Sequence, residues 1–194
     1  MRPTKDPRAE QVLRFWFGPE DESGKRRKEW FQKDAAFDAE IRARFLDLHG
    51  QGAVGALSSW KDGADDCLAL TVLLDQFPRN MFRGTARAFS TDALGLDAAR
   101  HALKQGFDHG RLPVERLFLY LPFEHSERLE DQLRACELMR PLEAFEETKD
   151  VYQYALRHHE IVARFGRFPH RNEMLGRPST AEEIEFLKRP GSGF

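Results

Sequence analysis

The run from Cys67 to Leu74, CLALTVLL, constrains the fold most. It is apolar on nearly every side of a helix, so the helix expected over about Ala64 to Gln76 has to be packed all round. The run stops at Asp75, far too short to cross a bilayer. A chain of 194 residues can supply the surrounding layer within one domain spanning 1–194, with 1–8 read as a loose tail.

The rest of the chain is helical in period. Val12, Leu13, Phe15, Trp16 and Phe17 mark a first helix closed by Gly18-Pro19, and Phe37, Ile41, Phe45 and Leu48 stripe a second. Pro78 is expected to end the third. Further helices are expected over about 92–105, 114–121 (meeting Pro122), 126–139 and 142–165, the last stopped by Gly166. Ser179 with Glu182, or Thr180 with Glu183, forms a capping box for a short final helix. No alternating run bounded by turn signals is present, so a sheet is not expected. The fold class is therefore all-α: about eight helices in antiparallel pairs joined by short Gly/Pro loops.

A phrase occurs nearly twice. Gln76 to Gly84 reads QFPRNMFRG, and Arg167 to Arg177 reads RFPHRNEMLGR. Each follows an apolar segment and combines an aromatic-proline step, an Arg-Asn pair and a glycine. Asp75, just before the first copy, needs a partner if buried, and Arg79 one turn on is the nearest candidate. In the second copy His170, Arg171 and Asn172 fall on a turn after the Gly166 stop, where three hydrogen-bonding side chains can hold a carboxylate or phosphate.

Two further groups carry potential chemistry. Glu124, His125, Ser126 and Glu127 lie between two helices, and a histidine flanked by carboxylates suits a general base, a metal ligand or a simple cap region. His158 lies on the apolar face formed by Val151, Tyr154, Ala155, Ile161 and Phe165, where a satisfied core histidine and a reactive one both fit. The candidates for acid–base work are thus Glu124, His125, His158 and His170. Those for ligand binding are Arg79, Asn80, Arg83, Glu127, Arg167, Arg171 and Asn172.

Several classes find no support. HExxH, Glu-x-x-His and cysteine clusters are absent, so neither a metal nor another cofactor is expected. A net charge of −2 gives no general attraction to nucleic acid or anionic lipid. Charge is uneven, however: Glu124, Glu127, Glu130 and Asp131 stand against the basic stretch 157–177, and such patches usually satisfy each other. Cys67 and Cys136 read as free thiols in a reducing compartment, and the N-terminus has no apolar leader, which points to the cytoplasm.

The strings LDQFPRNMFRGT, LYLPFEHSE and RFGRFPHRNEMLGRPST, with the opening VLRFWFG and the closing EEIEFL, resemble the bacterial family DUF924 from about Val12 onward. The resemblance implies an all-α fold similar to tetratricopeptide-type helical stacks, although no such repeat consensus is visible. It implies no activity and assigns no catalytic role to any matched position.

Three functions remain open at this level. One is a small-molecule site, enzymatic or not, for an anionic ligand. The second is a helical scaffold that binds a peptide or protein. In the third, the polar motifs are buried networks that fix helix packing. The first requires the Arg-Asn turns and the Glu-His turn to meet. Nothing in the sequence fixes the oligomeric state.

Overall fold

A computed structural model describes residues 6–19 and 21–193. Nine α-helices are labelled among them: α1 (Pro7–Phe17), α2 (Ala35–Ala53), α3 (Ala64–Asp75), α4 (Phe77–Met81), α5 (Asp92–Lys104), α6 (Pro113–Glu124), α7 (Leu129–Met139), α8 (Val151–Phe165) and α9 (Ala181–Leu187). No strand occurs among the described residues.

The central-helix expectation holds. Every residue of α3 from Asp65 to Asp75 is buried. α1, α2, α5 and α6 pack around it, and α6, α7 and α8 pack on one another beyond it. An aromatic cluster fills the space between α1 and its neighbours: Trp16 meets Trp30, Phe77 and Phe118 at ring-centroid distances of 6.2, 5.6 and 5.3 Å. Rings of this size contribute most of the core's apolar burial.

Local chemistry explains the ends. Asp6 accepts from Arg8 N and Pro7 opens α1, so the helix begins inside the stretch expected to be a loose tail; residues 1–5 lie outside the described residues. Asp34 caps α2 by accepting from Ala36 N and Phe37 N. Gly166 takes the left-handed conformation (φ 68°) and stops α8 as expected, and Thr180 and Glu183 form the capping box of α9.

α3 stops at Asp75, as expected ahead of Pro78, and Pro78 itself sits in the first turn of a further short helix, α4, where its missing N–H is no loss. Three boundaries differ from expectation. Pro122 lies inside α6, which continues to Glu124 because burial of Leu121, Phe123 and Glu124 outweighs one lost backbone bond. α7 starts at Leu129 rather than Ser126, whose hydroxyl instead donates to Asp131 and accepts from Arg128 N. The stretch expected to begin the seventh helix forms two 3₁₀ turns, Arg140–Ala144 and Glu146–Thr148. Phe145 is extended between them, and Thr148 Oγ1 donates to Leu142 O at 2.8 Å.

Candidate functional site

Three helix ends meet at one place. The first is the α3–α4 junction. Phe77 is buried among Phe15, Trp16 and Phe45, which fixes α4 against α1 and α2. Asp75 and Arg79 point the other way, toward the start of α5. Arg79 forks onto Asp92, with Nη1 donating to Oδ1 at 2.9 Å and Nη2 to Oδ2 at 3.1 Å, and stands 3.6 Å from Asp75 Oδ1. α5 approaches closely because it carries Gly95: a Cβ there would lie 3.1 Å from Asp75 Cβ and 3.5 Å from Asp75 N.

The second end is the turn after α6. Gln132 of α7 donates its amide to the carbonyls of Glu124 and Ser126, at 2.6 Å each, and so clamps the turn. His125 then projects onto Asp75, with Nδ1 2.8 Å from Oδ1 and 3.0 Å from Oδ2. A carboxylate only accepts, so Nδ1 carries the hydrogen and Nε2 keeps its lone pair.

The third end is α8 with the turn that follows it. His158 Nδ1 stands 2.9 Å from Tyr154 O and 3.1 Å from Glu124 Oε1. The carbonyl fixes the hydrogen on Nδ1. Past Gly166, the 3₁₀ turn Pro169–Arg171 carries Arg171 back to this point. Its Nη1 donates to His125 O at 3.0 Å and lies 3.5 Å from Asp92 Oδ2. The corresponding arginines of the two sequence phrases therefore face one carboxylate. The tail also returns here: a Cβ on Gly193 would lie 3.4 Å from His170 Cβ.

Burial sets the charge states. It raises the Asp75 carboxyl, but His125 and Arg79 outweigh it and hold the group at about 2, ionised. Burial, with Asp75 close by, pushes Glu124 up to about 8, so it stays protonated at neutral pH. Burial and then Arg79 lower His125, against the opposing pull of Asp75. Burial is also the largest cause that takes His158 down to about 3 and His170 to about 4. At neutral pH the cluster thus holds two carboxylates, two guanidiniums, one neutral acid and three neutral imidazoles. A neutral imidazole with an acidic partner beside a proton-bearing carboxyl is the division of labour that acid–base chemistry needs.

The remaining candidates lie elsewhere. Asn80 donates to Asp38 of α2 at 2.7 Å, and Arg83 forks onto the same carboxylate at 2.7 and 2.8 Å. Arg167 forks onto Glu183 of α9 at 2.6 and 2.8 Å, and Asn172 donates to Ser179 at 3.0 Å. Glu127 sits at the rim, where it accepts from Phe168 N and from both Nη atoms of Arg177. Of the three helix ends, the first thus contributes Arg79 without Asn80 or Arg83, and the third contributes His158, His170 and Arg171 without Arg167 or Asn172. The acidic and basic patches meet through Glu124–His158 and Glu127–Arg177.

Sequence reasoning missed Gly95, Phe89, whose ring lies against the Arg171 guanidinium, and Asp92, which both arginines face. A glycine inside an otherwise good helix was the available signal for Gly95, since it marks close approach. No group of three or more His, Cys, Asp or Glu placed to hold a metal ion occurs among the described residues. Two shallow depressions, one along α2 at Arg42 and Asp47 and one beside Asp6 and Trp60, lie away from the cluster.

The chain is similar to a solved protein of unknown function, ATU0120, from Agrobacterium tumefaciens: 43% identity, 94% of this chain and 97% of that chain covered, TM-score 0.83. A search of the curated proteins returned no match. The family model described as "Bacterial protein of unknown function (DUF924)" matches residues 12–191, and the chain that carries these three converging helix ends therefore belongs to the DUF924 family.

Proposed function

We propose that this protein is an enzyme that acts on a small anionic molecule by acid–base chemistry, with His125 as base and Glu124 as acid. The observation that carries this reading is the 2.8 Å contact between Asp75 and His125 Nδ1, which leaves Nε2 to take a proton. Asp75 orients the imidazole and stabilises its protonated form, and a general base so placed contributes typically about 10²–10⁴-fold in rate. Glu124, protonated at neutral pH and next in sequence, gives its own proton to a leaving or developing oxyanion, and the proton taken up by His125 is passed back to Glu124 through solvent before the next turnover. Arg79 and Arg171 supply positive charge beside the base. Asn80, Arg83, Arg167 and Asn172 are structural in this account, because each already has a protein acceptor.

The setting we propose is the bacterial cytoplasm. Its support is two free thiols, of which Cys67 is pushed up to about 12 by burial, together with the absence among the described residues of a helix long and apolar enough to cross a membrane. The helices pack in sequence-adjacent pairs such as α6 with α7 and α7 with α8, which supports a tetratricopeptide-like stack.

The test is to incubate the purified protein with a deproteinised bacterial metabolite extract and follow it by mass spectrometry. Wild type consumes at least one anionic compound, and His125→Gln, folded by circular dichroism, loses at least about 100-fold of that rate, the low end of a general base's contribution. An unchanged extract, or equal turnover by the variant, removes the enzymatic reading. Saturable capture of peptides without turnover would favour a peptide-binding scaffold.

A further inference from the structure

We propose that the buried, unpaired Nε edge of Arg171 anchors a carboxylate group of the ligand. This rests on the reading of the cluster as a site for an anionic molecule and narrows its chemistry. Arg171 is 6% exposed, and its buried Nε donates to nothing among the described residues. A buried donor without an acceptor is costly and rare in a folded protein, so a persistent one asks for a missing acceptor.

The surroundings decide which acceptor fits. The guanidinium carbon lies 4.5 Å from the centroid of the Phe168 ring and 4.7 Å from that of Phe89, with the guanidinium over both rings. An acceptor can therefore meet the guanidinium only in its plane, where Nε and Nη2 form the fork that matches a planar carboxylate. Nη1 is already committed to His125 O. An anion on the opposite edge is thus anchored one guanidinium width from the backbone of the residue that carries the base.

Charge balance narrows the choice further. Asp92 stands at hydrogen-bonding distance from Arg79 and 3.5 Å from Arg171, so Arg171 is the less neutralised of the two cations. Burial and Arg79 accordingly lower Arg171 to about 10, whereas Arg79 is raised by Asp75 and Asp92 against its burial. Asp75 and Asp92 already balance the two guanidiniums. A monoanion leaves one excess negative charge. A phosphate dianion leaves two in a water-poor site, which is far more costly. The ligand class is therefore a small monocarboxylate whose reacting carbon lies near His125 Nε2.

The experiment follows the Arg171 Nε–Hε resonance of the full chain by ¹H–¹⁵N NMR, assigned through its own side-chain carbons. Butyrate or benzoate should move it saturably, and inorganic phosphate at equal ionic strength should not. Arg171→Lys should weaken benzoate binding at least tenfold. A resonance unmoved by both carboxylates overturns the anchor, as does one moved by phosphate alone, or an Arg171→Lys protein that binds benzoate as tightly as wild type. Carboxylate binding through Arg171 in a protein without turnover supports the anchor and sinks the acid–base reading alone.

Discussion

The carboxylate of Asp75 and the imidazole of His125, 50 positions apart in the chain, meet at 2.8 Å at the end of the most deeply buried helix of the molecule. The contact requires α3, α5 and the turn after α6 to converge within one hydrogen bond. Everything proposed for function depends on how closely that convergence is held.

Gly95 is the means by which α5 comes close enough. A methyl group there would press on Asp75 Cβ at 3.1 Å and on its backbone, neither of which can swing away. Gly95→Ala would gain about 1 kcal/mol in helix propensity. Overpacking costs more, and a net destabilisation of about 1–2 kcal/mol is expected by urea titration. Turnover should fall with it, because Asp75 is displaced from His125.

Glu124 makes stability fall as pH rises. Its folded value of about 8 lies above the ordinary 4.5, so the folded state holds a proton that the unfolded state has released. That favourable contribution is full below about 4.5 and is lost as pH climbs through about 8. Glu124→Gln has no proton to lose. Relative to wild type it should gain a few kcal/mol between pH 4.5 and pH 8, since each tenfold difference in proton affinity between the two states corresponds to about 1.4 kcal/mol. Thermal melts across that range check the sign directly.

Asp38 separates the structural half of the first phrase from the chemical half. It accepts from Asn80 and Arg83 on the α2 side, away from Asp75 and Arg79. Asp38→Ala should cost about 1–2 kcal/mol, mostly from the Asn80 amide left without its acceptor. Turnover per folded molecule should stay within about twofold of wild type, measured on the metabolite consumed by the wild-type protein.

The fold was legible where local chemistry decides it. CLALTVLL announced a helix buried all round, and Gly166 and the Thr180–Glu183 pair announced their own caps. Asp75 announced a need for a partner, and Arg79 is indeed 3.6 Å away. The hydrogen-bonded partner, His125, was not legible as such, because no spacing rule links two helix ends so far apart in sequence. The two Arg-Asn phrases looked unequal, the second being richer for its His170, yet each splits in the same way: its arginine turns toward Asp92, and its asparagine turns to a carboxylate or hydroxyl of a flanking element. That division follows from which faces of a single helical turn meet α5 and which meet α2 or α9, and tertiary packing alone fixes it. Pro122 misled for the same reason, since burial of the residues around it outweighs one missing backbone bond.

The central claim is that His125 stands ready as a base, and its tautomer tests this most directly. Long-range ¹H–¹⁵N correlation of the imidazoles at neutral pH should show His125 neutral, with the hydrogen on Nδ1 and a bare Nε2. A hydrogen on Nε2, or a fully protonated ring at that pH, would contradict the account.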